Sequence, residues 1–167
     1  MEILQLHSSH NKKEFSCGKL QLDNYIHFQA TQDVKKMLAA CFVLVNNQNT
    51  VLGYYTLSNS GIPKDTIPFE FQKRIPNSYT NLPATLLGRL AIDKSISGKG
   101  MGELLLLDAL KRCYYVSKSE IGSMAVIIDP IDDNAILFYK KYGFILLPDS
   151  GKMFIAMKTI TQLITNK

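Results

Sequence analysis

Three glycines at alternating positions, Gly98, Gly100 and Gly102, stand between an apolar stretch and a leucine-rich segment. Glycine lets the backbone approach a ligand closely and adopt positive φ angles. Free N–H groups at the start of a helix, together with the helix dipole, favour a bound anion. Because residues 87–93 have the pattern of a strand, the segment predicts a strand, a phosphate-binding turn and a helix.

The spacing around this turn disfavours two common nucleotide sites. A dinucleotide fold needs an acidic residue about 20 residues further on, at the end of a second strand. No suitable carboxylate occurs before Asp129. A P-loop needs a Lys-Ser or Lys-Thr pair after its last glycine, and none follows Gly102. On spacing alone, a plain helix start after a tight loop is an equal alternative.

A second motif lies further along the chain, and its characteristic residues are Asn134, Phe138, Tyr139, Gly143 and Phe144. Together with the glycine turn, it resembles the GNAT acetyltransferase superfamily. The pair of motifs is far more specific than either one. The resemblance implies acetyl-CoA as the acetyl donor. Three cysteines without a CxxC pair or a histidine at ligand spacing argue against a zinc site, so no metal is expected.

The GNAT resemblance also assigns the cofactor contacts. The turn that holds the pyrophosphate falls on residues 97–102, and Ser97 stands where the family usually has Gln or Arg. The strand edge before the turn pairs with the pantetheine arm through backbone bonds, and Asn134 lies near the same arm. The implied cofactor-binding residues are Leu90, Ala91, Ile92, Ser97, Gly98, Lys99, Gly100, Met101, Gly102 and Asn134.

Tyr139 is the candidate catalytic residue, because the resemblance places it close to the thioester sulfur. When an amine attacks the acetyl carbonyl, a positioned proton donor makes the thiolate of CoA a better leaving group. A phenol can serve as that donor. The alternative to a catalytic role is that the Tyr139 ring packs on the sheet beside Phe138 and Phe144.

A longer pattern is similar to one GNAT subgroup, the toxins of bacterial toxin–antitoxin pairs. The matching stretches are Phe15-x-Cys17-Gly18-x-x-x-Leu22-Asp23-x-Tyr25, Phe42-Val43, Gly53-Tyr54-Tyr55-Thr56-Leu57 and Leu86-Leu87-Gly88-Arg89-Leu90-Ala91-Ile92-Asp93. This resemblance implies acetylation of the α-amino group of aminoacyl-tRNA, a ribbon-helix-helix antitoxin and a homodimer. Such an amino group is substantially neutral near pH 7 and needs little help from a base.

Binding of tRNA would require cations around the acceptor side of the site. The candidates are Arg89, Lys35, Lys36, Lys73 and Arg74. The Lys-Lys and Lys-Arg pairs fit solvated surface charge equally well, since no stacking aromatics are clearly interleaved with them. The alternative for Arg89 is an ion pair with a carboxylate of the sheet.

The elements that must position these residues follow from periodicity and turn signals. Strands are predicted over residues 2–7, 40–45, 51–58, 85–93, 123–129, 144–147 and 153–157, and helices over 20–37, 99–115 and 134–142. Residues 62–83 hold four of the six prolines, which predicts a surface excursion with a short helix at 69–75. The GNAT resemblance implies an α/β fold whose mixed, mostly antiparallel sheet has six or seven strands and about four flanking helices.

Composition sets the outer bounds. The length of 167 residues predicts a single domain over residues 1–167. The net charge of +5 predicts a moderate attraction for anionic partners. Three cysteines without a CxxC pair predict reduced thiols, and no run has the roughly 20 apolar residues that span a membrane. We therefore expect a cytoplasmic protein. The open alternatives to the toxin are acetylation of a small-molecule or protein amine, and a CoA-binding module without catalysis.

Overall fold

The computed structural model describes residues 1–165. Its seven strands form one sheet of order β1-β2-β3-β4-β5-β7-β6. The strands are β1 (Glu2–Gln5), β2 (Ala40–Val45), β3 (Val51–Pro63), β4 (Asn81–Ile92), β5 (Ala125–Ile128), β6 (Ile145–Leu146) and β7 (Met153–Ala156). β4 and β5 are parallel, whereas β1 with β2, β2 with β3, β5 with β7 and β6 with β7 are antiparallel. The predicted mixed, mostly antiparallel sheet is confirmed.

The helices flank this sheet. They are α1 (Leu20–Asn24), a π-helical segment (Tyr25–Gln29), α2 (Ala30–Lys35), α3 (Phe69–Gln72), α4 (Met101–Ser119), α5 (Asp133–Lys140) and α6 (Met157–Thr165). The carboxylate of Asp132 caps α5 by accepting a hydrogen bond from the Ala135 N–H at 2.8 Å. Across residues 1–165, no helix has both the length and the apolar character needed to cross a membrane.

The chain divides into two compact units. The first comprises residues 1–58 and 87–109, and its buried core is Leu6, Phe15, Tyr25, Ile26, Ala30, Cys41, Val43, Val45, Val51, Tyr54 and Ala91. The second comprises residues 59–86 and the chain from 110 onward, and its buried core is Ile62, Ile67, Leu82, Ala84, Ala125, Ile127, Leu147, Phe154 and Ala156. Each unit therefore encloses apolar side chains of its own.

The predicted surface excursion over residues 62–83 is wrong in its main feature, because this stretch contributes to a core. Ile62, Ile67 and Leu82 are buried in the second unit. The prolines prevent a long helix, but Pro63 closes β3 and Pro83 lies within β4. Both strands consequently extend beyond the predicted limits, and only the short helix at α3 is confirmed.

Helix α6 is absent from the sequence prediction, which ended with strand β7. The segment contains the β-branched residues Thr159, Ile160 and Thr161, which lower helix propensity. Tertiary packing overrides that preference, since Ile160 is fully buried and the Met157 N–H donates to the Met124 carbonyl at 2.9 Å. Long-range contacts therefore decide the conformation of this segment.

Candidate active site

The glycine turn has the backbone that the anion-binding prediction requires. Gly98 and Gly100 have φ angles of 74° and 76°, a region that L side chains rarely adopt. No atom lies within 4 Å of the position that a Cβ would take at either residue, so conformation rather than crowding demands glycine. α4 begins at Met101, and the first N–H groups of its 19 residues have no acceptor within the helix.

Asp93 anchors the chain that leads into this turn. Its carboxylate accepts hydrogen bonds from the Ser95 N–H and hydroxyl at 2.9 and 2.6 Å, and from the Ser16 N–H at 2.8 Å. The Lys94 N–H donates to the Ser16 carbonyl at 2.9 Å. Asp93 thus ties the loop before α1 to the end of β4, a role that the sequence analysis missed.

These contacts also set the ionisation of Asp93. Partial burial disfavours its charged form, but the hydrogen bonds from Ser95 and Ser16 outweigh that effect and lower the pKa of its carboxyl group. The carboxylate is therefore ionised at neutral pH and accepts all three bonds with charge assistance.

The edge of β4 suits a ligand that binds as an extended chain. β4 pairs with β5 only through Ala84, Thr85 and Leu86, and residues 87–92 continue past that pairing. Of the three predicted pantetheine contacts, Ala91 is buried, whereas Leu90 and Ile92 are half-buried. A strand edge can bind an extended ligand through its backbone groups.

Close packing holds this part of β4 in place. A Cβ on Gly53 of β3 would lie 2.8 Å from the Ile92 side chain, 3.0 Å from Leu105 of α4 and 3.2 Å from the Ala91 carbonyl. A larger residue would require the ends of the Ile92 and Leu105 side chains to shift and the Ala91 carbonyl to give way slightly. β3, β4 and α4 therefore pack closely around Gly53, next to the glycine turn.

Tyr139 lies on α5 in the second unit, with 7% of its surface exposed. Its ring packs against those of Phe138 and Phe144, with centroids at 5.1 and 5.4 Å. The aromatic packing considered as an alternative is thus present. The hydroxyl has no hydrogen-bond partner among residues 1–165, and burial raises the pKa of Tyr139. The phenol is consequently protonated at neutral pH.

The other predicted residue of α5, Asn134, is exposed in the first turn of that helix. Asp132 caps the helix, as described above, whereas Asp129 instead forms an ion pair with Lys152 at 2.7 Å.

Among residues 1–165, Arg89 pairs with no carboxylate, which contradicts the predicted alternative of an ion pair with the sheet. Its guanidinium carbon lies 3.7 Å from the centroid of the Tyr25 ring, a cation–π contact. The Tyr25 hydroxyl donates to Asp33 at 3.1 Å. Within the described part of the chain, the Arg89 side chain has no hydrogen bond or salt bridge, and it lines an open groove of the first unit.

The remaining candidate cations differ in their surroundings. Lys35 and Lys36 are exposed at the end of α2, in the first unit. Lys73 and Arg74 are exposed after α3, in the second unit, and the Lys73 ammonium lies 2.6 Å from Glu70. Only Arg89 among the five is held in a fixed orientation by an aromatic ring.

The cysteines offer no thiolate at neutral pH. Burial raises the pKa of the Cys41 and Cys113 thiols to about 12. Burial, followed by a hydrogen bond with Asp23, raises that of Cys17 to about 11. Among residues 1–165, no three His, Cys, Asp or Glu side chains are grouped so that they could hold a metal ion.

Comparison with known proteins connects this geometry to a family. No protein-family model matches the chain. A tRNA-acetylating toxin of Mycobacterium tuberculosis is 31% identical over 151 residues, which cover 90% of this chain and 88% of the relative. The match therefore extends over nearly the whole length of both proteins.

Solved structures agree with that relationship. A tyrosine-to-phenylalanine mutant of KacT has a TM-score of 0.90 at 31% identity, over 97% of this chain and 98% of its own. AtaT complexed with an acetyl-methionyl-tRNA has a TM-score of 0.90 at 29% identity, over 98% of both chains.

Two further AtaT structures hold other molecules. AtaTR bound with AcCoA has a TM-score of 0.85 at 30% identity, over 98% of this chain and 97% of its own. An AtaT tyrosine-to-phenylalanine mutant bound to the C-terminus of the antitoxin AtaR has a TM-score of 0.83 at 27% identity, over 98% of both chains. With its seven-stranded sheet, its glycine turn and this identity, the chain belongs to the family of tRNA-acetylating toxins with the GNAT acetyltransferase fold.

Proposed function

We propose that the protein is an acetyl-CoA-dependent N-acetyltransferase that acetylates the α-amino group of aminoacyl-tRNA. The observation that carries this proposal is the left-handed glycine turn at the start of α4, in a chain that matches tRNA-acetylating toxins over nine-tenths of its length. The protein acts on charged tRNA in the cytoplasm and is built as one GNAT domain.

Acetyl-CoA supplies the acetyl group as a thioester. The turn fits its pyrophosphate, because residues 98–102 combine two left-handed glycines with the N-terminal N–H groups of a long helix. Lys99 folds back over the turn, where its ammonium donates to the Ser95 carbonyl at 3.2 Å. Ser97 and Met101 complete the turn, while Leu90, Ala91 and Ile92 bind the pantetheine arm and Asn134 lies beside it.

Tyr139 is the general acid in this proposal. As the amine nitrogen attacks the thioester carbonyl, the C–N bond would form and the C–S bond would break. The sulfur would take the phenolic proton, and the proton lost by the amine would return through water to the Tyr139 oxygen. The phenol is protonated at neutral pH, the state that a general acid requires. Its hydroxyl, which has no partner in residues 1–165, is available as a donor.

The acceptor needs no strong base. The α-amino group of an aminoacyl ester has a pKa below that of a lysine side chain, so much of it is neutral near pH 7. Arg89, Lys35, Lys36, Lys73 and Arg74 bind the tRNA backbone in this proposal, and Arg89 is the best placed because the Tyr25 ring fixes its guanidinium.

A ribbon-helix-helix antitoxin neutralises the protein, and the active form is a homodimer. The complex of AtaT with the C-terminus of AtaR supports the first of these proposals. Co-expression with the protein encoded by the neighbouring reading frame tests the antitoxin, because a complex should survive purification and abolish acetyl transfer. Absence of such a complex would contradict the antitoxin, and a monomeric mass for the free protein would contradict the dimer.

The central experiment follows label from radioactive acetyl-CoA into a pool of charged tRNA, with polyamines and peptides as parallel acceptors. We expect label in the tRNA fraction. Label confined to the small amines or peptides would favour those substrates instead. CoA binding by calorimetry without transfer to any amine would identify a binding module that has no catalytic activity.

A further inference from the structure

Two carboxylates hold the short segment Ser16-Cys17-Gly18 from different elements of the first unit. Asp93, at the end of β4, accepts a hydrogen bond from the Ser16 N–H at 2.8 Å. Asp23, in α1, accepts from the Cys17 N–H at 2.8 Å, from the Ser16 hydroxyl at 3.3 Å and from the Gly18 N–H. This 16–18 segment is therefore fastened both to the first helix and to the strand that leads into the glycine turn.

Asp23 makes its contacts as a charged acceptor. Partial burial disfavours its charged form, but the hydrogen bonds from Cys17, Ser16 and Gly18 outweigh that effect and lower the pKa of its carboxyl group. Hydrogen bonds to an ionised acceptor are roughly twice as strong as those between neutral groups. Asp23 thus holds the 16–18 segment more firmly than an uncharged side chain could.

The 16–18 segment also contacts the start of the glycine turn. The Lys94 N–H donates to the Ser16 carbonyl at 2.9 Å. The Lys94 side chain crosses Gly18 so closely that a Cβ on Gly18 would lie 2.7 Å from the Lys94 Cε. Lys94 begins the short 3₁₀ helix Lys94–Ile96, which leads to Gly98. A shift of the 16–18 segment would therefore move the backbone from which the turn starts.

These contacts connect Asp23 to the glycine turn in two steps. The first step runs from the Asp23 carboxylate to the 16–18 segment, and the second runs from that segment to Asp93 and Lys94. Backbone N–H groups bind an anion only when they point towards it, and a displacement of about 1 Å at a binding site can cost a large factor in activity. The turn is thus sensitive to a side chain on α1.

We infer that Asp23 is a positioning residue for acetyl-CoA, which acts on the glycine turn through the 16–18 segment. It does not touch the cofactor. The inference rests on the proposed function, because it requires the turn to hold the pyrophosphate of acetyl-CoA. It adds a residue of α1 to the determinants of cofactor binding, which otherwise lie on β4, the turn and α5.

The test compares two acetyl donors, acetyl-CoA and S-acetylpantetheine, which lacks the pyrophosphate and the adenosine. With charged tRNA as the acceptor, the ratio of their kcat/KM values measures how much the missing part contributes to the reaction. We expect Asp23→Ala to lower this ratio about tenfold, because the turn loses the orientation that binds the pyrophosphate. Calorimetry without any acceptor should show that the Kd for CoA rises by a similar factor.

Glu14→Gln is the matched control, because Glu14 is an exposed carboxylate of the same loop and has no hydrogen bond or ion pair within residues 1–165. It should keep the wild-type ratio and the wild-type Kd. Asp23→Asn is the milder variant, which keeps one acceptor oxygen and serves if Asp23→Ala does not fold. It should lower the ratio and weaken CoA binding by about threefold.

The two donors separate positioning from simple stabilisation of the fold. Equal losses with both donors would overturn the inference, and so would an unchanged Kd for CoA, because Asp23 would then have only a structural role. Failure of the wild-type protein to transfer acetyl groups to charged tRNA would instead contradict the proposed function. The Kd for CoA would still decide the role of Asp23 in that case.

Discussion

Tyr139 combines two properties that proton donation requires. Its ring is fixed by Phe138 and Phe144, and its hydroxyl has no competing acceptor in residues 1–165. Burial among these rings raises the pKa of Tyr139, so the phenol is protonated at neutral pH, and the packed ring is compatible with the proposed role of general acid.

Replacement of Tyr139 by phenylalanine removes only the hydroxyl group. We expect kcat to fall by about 10² to 10⁴, the range typical of a lost general acid, while the Kd for CoA changes little. Steady-state kinetics and calorimetry provide the two measurements. Tyr115→Phe is the control for the loss of a surface phenol, and a Tyr139→Phe enzyme with wild-type kcat would exclude the proposed role.

Asp93 is a residue whose role is structural, and its contribution to stability can be measured. Asp93→Asn should lower the free energy of unfolding by about 1 kcal/mol at pH 7, because the bonds to Ser16 and Ser95 lose charge assistance. The folded pKa is lowered, so this contribution is complete above the unfolded value near 4 and disappears as the pH falls through the folded value. Urea unfolding of both proteins at pH 7 and at pH 3 measures the difference, which should shrink at the lower pH. A difference independent of pH would contradict this account.

At the scale of elements, the glycine turn and the edge of β4 form one continuous segment. Asp93 joins the segment to the loop before α1, and Gly53 allows β3 to approach it closely. The cofactor contacts proposed in the first unit therefore lie along a stretch of backbone whose shape is set by contacts on both sides.

Gly100→Ala tests this segment. An alanine at the Gly100 φ angle of 76° is disfavoured by roughly 1–2 kcal/mol, so the turn should change its conformation. The KM for acetyl-CoA should then rise about tenfold, because the N–H groups of the turn no longer face the pyrophosphate. Gly122→Ala is a matched control, because Gly122 has no positive φ and open space around its Cβ position. An unchanged KM in Gly100→Ala would show that the turn does not hold the cofactor.

The sequence predicted those elements whose signals are local. The β2–β3 hairpin, α4 and α5 follow from strand propensity, apolar periodicity and the capping residue Asp132. Helix α6 and the buried Ile62 and Ile67 were not predicted, because partners distant in sequence determine their conformation and burial. The site motifs were recognisable from residue types and spacing. The hydrogen bonds of Asp93 and the Arg89–Tyr25 contact were not, because they depend on side-chain geometry that residue spacing does not specify.

At the scale of the whole molecule, the family match covers nine-tenths of the chain, including both compact units. The net charge of +5 fits a polyanionic substrate, although the charge alone does not select tRNA. The choice of substrate rests on the family.

The most direct test of the account is the chemical identity of the acetylated product. A charged tRNA pool is incubated with acetyl-CoA and the purified protein, digested with a ribonuclease, and analysed by mass spectrometry for aminoacyl-adenosine. The account predicts a mass increase of one acetyl group on the α-amino group of aminoacyl-adenosine, which is strongly reduced with Tyr139→Phe. Unmodified aminoacyl-adenosine from an enzyme that acetylates other amines would contradict it.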